Sequence, residues 1–217
     1  MNKIVIIGAR IDGHAKVVLE ILLAQQQYEV AGFIDDNLFG KLADIKGFPL
    51  LGTMNDLPRL IAEYSLDGGI VAIGDNPVRR RLTARIIALG LQSINVIHPT
   101  AQLDASVKIG KGNVISQNVV IIADTVIGNC VNIHAGVTID HDNIIEDGAN
   151  LGPGVHTAGR VKIRQDAFLG TGSIAIPDAV IGEGSVVGAG AVVLDTVEPY
   201  TLVVGVPSKY VKHLKQL

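Results

Sequence analysis

From Leu103 to Val193 an aliphatic residue returns at every sixth position without a slip in phase. The series has sixteen members, of which only Thr157 is polar and only Ala175 is small. Glycine often follows the anchor, as at Gly110, Gly128, Gly152, Gly170, Gly182 and Gly188. Two residues before the next anchor stands a small or β-branched side chain such as Val119, Thr125, Val137 or Ala191. This period is the signature of a parallel β-helix, a solenoid in which three hexads close one triangular coil and no coil can bury its apolar face alone. Sixteen hexads predict roughly five coils. Glycine or asparagine is expected to supply the permissive backbone at the tight corners.

Upstream the pattern changes. Lys3 to Ile7 reads as a short buried strand running into a turn from Gly8 to His14, after which Val17, Val18, Ile21 and Leu22 share one face of a predicted helix. A second strand, Glu29 to Ile34, ends at Asp35 and Asp36. A loop containing Pro49, a helix over Asp56–Tyr64, a strand over Gly69–Ile73, a turn beginning at Gly74, a helix over Arg79–Leu89 and a last strand over Ser93–Ile97 follow. Alternating strands and helices predict a small parallel α/β domain of Rossmann-like βαβ type. The organisation read from the sequence is therefore an α/β domain over 1–97, a linker over 98–102, a β-helix over 103–198 and a C-terminal cap over 199–217 that covers otherwise unpaired strand edges.

Composition supports this picture. Hydrophobic residues make up 48% of the 217, yet aromatics only 4% with no Trp, as an interior of stacked aliphatic side chains requires. The 25 glycines fall mostly at predicted corners. A formal charge of -3 leaves no basic footprint for nucleic acid. The single Cys130 cannot close an internal disulfide, which points to a reducing, cytoplasmic compartment. No apolar run approaches the ~20 residues that span a bilayer, and the N-terminal run is too short for a signal peptide.

The turn after the first strand is not the dinucleotide fingerprint, because Arg10 stands where its second glycine would be, so NAD binding is not expected. Asp12 either caps the following helix or faces a ligand. Asp35 and Asp36 lie where open parallel sheets bind ligands, and are either acceptors for a ribose or base or a solvated turn. In the hexads, Asp140, His141 and Asp142 form an imidazole flanked by two carboxylates. A neighbouring carboxylate holds such a ring in one tautomer and raises its basicity, as a general base requires; the alternative is a hydrated polar corner. His134 and His156 raise a metal site, but their offsets from His141 are not whole coils, so a three-histidine site would need an interface, and no metal is expected.

A small α/β domain with a glycine turn and Asp35–Asp36, followed by hexads carrying His141 and an acidic neighbour, resembles the bacterial sugar acyltransferases of the left-handed β-helix superfamily over essentially the whole chain. The pattern is most similar to the N-acetyltransferases of nucleotide-linked 4-amino-4,6-dideoxy-sugars, with sialic acid O-acetyltransferases as relatives. The resemblance implies a left-handed coil and a homotrimer that binds acetyl-CoA between adjacent β-helices. It makes His141 the general base and Asp142, usually glutamate in relatives, its acidic partner. It places Asp12, Gly13, His14, Asp35, Asp36 and Gly74 on the nucleotide-sugar. Asn150, where relatives commonly have histidine, aligns with Thr171 and Ala189 as an acetyl-CoA contact, with Gly159 and Gly188 close by. The stretch Gly205–Lys209 resembles the Gly-x-Pro-x-Lys/Arg ending near the CoA nucleotide. The expected activity is direct acetyl transfer to a sugar amine. Rival expectations are transfer to a sugar hydroxyl, a non-catalytic trimeric nucleotide-binding scaffold, and a metalloenzyme like the γ-carbonic anhydrases.

Overall fold

Each hexad folds as a two-residue strand ending on its anchor, as in Val114–Ile115 and Thr138–Ile139. Strands pair in parallel with those 18 residues on, Ile115 beside Ile133 and Ile139 beside Thr157, so anchors stack in columns. Three faces result. The first runs from Gln102–Leu103 through Thr138–Ile139 and His156–Thr157 to Val192–Val193, and the second from Lys108–Ile109 through Ile144–Ile145 to Val180–Ile181. The third carries Val114–Ile115, Asn132–Ile133, Asn150–Leu151, Phe168–Leu169 and Val186–Val187. The coil is left-handed, against the usual hand of parallel crossovers. The computed structural model describes residues 1–10 and 13–215 and divides the chain into two compact units, Met1–Pro99 and Thr100–Leu217.

The corners refine the expectation about glycine. The left-handed residue stands three after the anchor, and it is Gly112, Asn118, Asp124, Cys130, Gly136, Asp142 and Gly148 in successive hexads, with φ between 56° and 73°. Asparagine and aspartate tolerate that region better than other side chains. The glycine directly after the anchor meets a different demand, the close approach of the next coil. A Cβ on Gly170 would lie 2.6 Å from the backbone N of Ala189 and 2.9 Å from the carbonyl O of Val187, neither of which can yield. Gly170→Ala is therefore expected to cost about 1–3 kcal/mol. By contrast Gly136→Asn, at φ 70° with nothing within 4 Å, should change stability by less than about 1 kcal/mol. Thermal unfolding of the two variants checks the order.

Thr157 and Ala175, the two exceptions in the anchor series, turn out to be neighbours in one column of the first face, between Ile139 and Val193. Thr157 is buried and its hydroxyl has no hydrogen-bond partner. Beyond the hexads, Thr201–Val204 extends the third face by pairing parallel to Val186–Val187, and Lys209–His213 folds back antiparallel to it.

In the N-terminal unit the order is β1 (Asn2–Ile7), α1 (His14–Gln25), β2 (Tyr28–Ile34), β3 (Asp44–Ile45), β4 (Phe48–Gly52), α2 (Leu57–Tyr64), β5 (Gly68–Val71), α3 (Asn76–Ala88) and β6 (Gln92–Ser93). They form one sheet in the order β3-β4-β2-β1-β5-β6, parallel except for the β3–β4 hairpin. The sequence reading placed a loop at that hairpin, whose two-residue turn, Lys46 and Gly47, has both φ positive. The buried face of α1 is Ala15, Val18, Leu19, Ile21 and Leu22, while Val17 is 37% exposed. The helical spacing of Ala15, Val18, Leu19 and Leu22 explains the rotation away from Val17. The expected strand over Ser93–Ile97 is broken: Gln92–Ser93 ends this sheet and Val96–Ile97 is a separate element. Gln102, assigned to a linker from sequence, already belongs to the first hexad strand.

Candidate active site

His141 occupies the corner between the first and second faces, just after the strand Thr138–Ile139. Its Nδ1 lies 2.7 Å from Oδ2 of Asp142, and its backbone N–H donates to Oδ1 of Asp140 at 2.8 Å. Asp142 holds the left-handed corner position at φ 58°, which turns its carboxylate back toward the ring that precedes it. An ionised carboxylate only accepts, so Nδ1 carries the ring proton and Nε2 is left with the lone pair. The ring rests over buried Gly159 of the next coil, where a Cβ would come within 2.6 Å of both Cε1 and Nε2. Gly159, expected from the resemblance to lie close to the acetyl-CoA contacts, packs directly under the imidazole.

Two interior residues that sequence reasoning missed fix this corner. Asn143 is fully buried, and its Nδ2 donates to the carbonyl oxygens of Asp140, Ala158 and His141 at 2.8, 2.9 and 3.2 Å. The Thr125 hydroxyl donates to the same Asp140 carbonyl at 2.9 Å from the preceding coil. The available signal was positional: an amide at Asn143 stands where most hexads place a small or β-branched residue. One coil beyond His141, Arg160 makes a bidentate pair with Asp178, Nε to Oδ1 at 2.7 Å and Nη2 to Oδ2 at 2.8 Å. The Arg160 hydrogen bonds hold the Asp178 carboxyl below the ordinary carboxylate range. Hydrogen bonding to Asp178, then its charge and to a lesser degree that of Asp142, raise the Arg160 guanidinium above its usual value.

Thr171, Gly188 and Ala189 sit at a different corner, between the third and first faces, where Gly152, Gly170 and Gly188 stack in successive coils and Thr171 and Ala189 are exposed. Asn150 is on the third face, which lies opposite the His141 corner, and is buried with its Oδ1 unpartnered. One chain therefore separates His141, Asp142 and Gly159 from Asn150, Thr171, Gly188 and Ala189. His156, on the first face, has its Nδ1 2.7 Å from the Thr138 hydroxyl. Among the described residues no group of three or more histidine, cysteine or acidic side chains is placed to hold a metal.

In the N-terminal unit the parallel alignment of β2, β1 and β5 brings three of the expected segments to one sheet edge. The Gly8 N–H donates to the Ile34 carbonyl and the Ala72 N–H to that of Ile7, so the chain leaves β1, β2 and β5 side by side. Gly13 precedes α1 and His14 opens it, while exposed Gly74 follows β5; Asp12 lies outside the described residues. The Asp35 carboxylate is committed to backbone, accepting from Ala9 N at 2.8 Å, Asn37 N at 2.8 Å and Leu38 N at 3.0 Å. Asp36 is exposed and accepts from Met54 N through Oδ1; among the described residues no donor reaches its Oδ2. Arg79, fully buried on α3, donates to the carbonyls of Ile73 and Gly74 and to the Asn76 side chain, and so holds the loop after β5.

Residues 3–86 match the family model of the PglD N-terminal domain, and residues 160–195 that of the bacterial transferase hexapeptide, six repeats. The GDP-perosamine N-acetyltransferase of Escherichia coli O157:H7 is 31% identical over 195 residues, which covers 88% of this chain and 85% of that one. Other curated relatives are matched over only 22% and 27% of their own length. A perosamine N-acetyltransferase from Caulobacter crescentus, solved with CoA and GDP-perosamine, superposes with a TM-score of 0.91 at 37% identity over 98% of both chains. It has been studied with its own histidine 141 replaced by asparagine or by alanine. The acetyltransferase domain of PglB from Neisseria gonorrhoeae FA1090, solved with acetyl coenzyme A, has a TM-score of 0.87 at 31% identity over 97% of this chain and 99% of that one. The fold and the site define an acyltransferase of the left-handed β-helix class. Within that class the chain belongs to the nucleotide-sugar N-acetyltransferases, which draw the acetyl group from acetyl-CoA. No helix among the described residues is long and apolar enough to cross a membrane.

Proposed function

We propose that this protein acetylates the 4-amino group of a GDP-linked 4-amino-4,6-dideoxy-sugar of the perosamine type, with His141 as general base. The observation that carries the reading is the His141–Asp142 pair at 2.7 Å, standing at an exposed corner in a chain superposable on an enzyme solved with CoA and GDP-perosamine. Acetyl-CoA supplies the acyl group as co-substrate. Asp142 keeps the proton on Nδ1, so Nε2 accepts the proton that the attacking amine loses as its nitrogen bonds to the thioester carbon. Nε2 then returns the proton to the departing sulfur when the C–S bond breaks. The Asp142 carboxylate stabilises the imidazolium between the two transfers.

The two sets of site residues favour a trimer, because His141 and the Thr171–Ala189 corner lie at opposite edges of the first face and a neighbouring copy can bring one against the other. The small side chains of Thr171 and Ala189, stacked along that corner with Gly188, suit the close passage of an extended co-substrate. At the sheet edge of the N-terminal unit, Asp36 accepts from the nucleotide, the Gly13–His14 helix start and the Gly74 loop line the same edge, and Asp35 positions the turn.

The test is a matched comparison with acetyl-CoA and either GDP-perosamine, its UDP- and dTDP-linked counterparts, or a 4-hydroxy analogue. GDP-perosamine is expected to give a kcat/KM at least about tenfold above the others, the equivalent of roughly 1.4 kcal/mol. Preference for another base would overturn the GDP assignment, and preference for the hydroxyl would overturn N-acetylation by this chain.

A further inference from the structure

The corner that carries His141 repeats along the solenoid, and its left-handed position reads Asp124, Asp142, Arg160 and Asp178 in four successive coils. Arg160 thus stands between two carboxylates, one belonging to the His141 pair. Coils stack about 4.8 Å apart, close enough for either carboxylate to take the guanidinium. It is Asp178 that does so, through both Nε and Nη2. Asp142 is left to His141 Nδ1. Parallel bonds from guanidinium to carboxylate are strong and geometrically specific, so the choice is a defined one.

We infer that Asp178 is a positioning residue of the acetyl transfer: by engaging Arg160 it keeps that cation from competing with His141 for the Asp142 carboxylate. Asp140 and Asp142 contact His141 from its own corner, the corner position reads Asp124 in the preceding coil and Arg160 in the following one, and His156 of the following coil pairs with Thr138 on the first face. Lys162, on the second face, adds its charge to the groups that lower the Asp178 carboxyl. Of the two following-coil groups, His156 is bonded to Thr138, which leaves Arg160 as the cation in register with Asp142. If Arg160 turned to Asp142, the imidazolium formed during the reaction would lose its counter-charge and His141 would become a weaker base.

The inference rests on His141 being the base, and the experiment separates the two. The pH dependence of kcat/KM is measured for wild type, Asp178→Asn and the double variant Asp178→Asn with Arg160→Gln. Asp178→Asn is expected to move the acidic limb down by about one pH unit and to lower the plateau several-fold. Removing Arg160 in the double variant is expected to return both to wild type. Both side chains are more than half exposed, so thermal midpoints should stay near the wild-type value. An unchanged profile for Asp178→Asn, or a loss that the double variant fails to restore, overturns the inference. Should His141→Ala keep its turnover, the assignment of the base falls instead, and the Asp178 role falls with it.

Discussion

A His141→Ala variant is expected to lose roughly 10²–10⁴-fold in kcat while KM for both substrates stays within a few-fold of wild type. The ring contributes proton transfer, and the exposed corner it occupies takes no part in the packed anchor columns, so truncation should leave the fold intact. What remains after truncation is the positioning of the two substrates, which survives because no binding group is removed. Steady-state kinetics on the folded variant, with its melting temperature and oligomeric state measured alongside, provide the check. Near-wild-type turnover would exclude His141 as the base.

The second large effect is expected from a methyl group. In Gly159→Ala the new Cβ would sit 2.6 Å from Cε1 and Nε2 of His141, less than any real contact allows. Gly159 is buried in the coil wall whereas the imidazole is exposed, so the ring is expected to move and its 2.7 Å bond to Asp142 to be lost. A displacement on the order of 1 Å is enough to cost about 10²-fold in rate. The kinetic pattern distinguishes this role from a direct acetyl-CoA contact. A platform for the base lowers kcat and spares KM, while a co-substrate contact raises the KM for acetyl-CoA with kcat retained. An active Gly159→Ala enzyme with a raised KM for acetyl-CoA would instead support the co-substrate role that the resemblance implies.

The solenoid was legible because its physics is periodic: each anchor is constrained by the same stacking, so the hexad phase from Leu103 to Val193 predicts which residues face inward. The role of each glycine was less legible, since close approach and left-handed backbone both select it, and only coordinates separate Gly170 from Gly172. His141 and Asp142 stood out by chemistry. Asn143 did not, because its amide acts inside the corner through carbonyls of residues from two coils, and composition carries no trace of those distances. Asp35 and Asp36 are indistinguishable in sequence, yet one is held by three backbone donors and the other, among the described residues, keeps an open oxygen. The β3–β4 hairpin was hidden by its brevity and by Pro49, whose missing N–H argues against an inner strand, although β4 lies between β3 and β2.

Within the hexads, from Gln102 to Val193, the uniform 18-residue pairing turns residue number into an angle. Position around the axis is set by the remainder on division by that number, and height along the axis by the quotient. A spliced-in block of a whole coil lengthens the barrel and leaves every side chain on its own edge, whereas a single extra hexad upstream of His141 rotates the catalytic corner by a third of a turn relative to everything before it. Insertions in this chain are therefore sorted by arithmetic before they are sorted by chemistry.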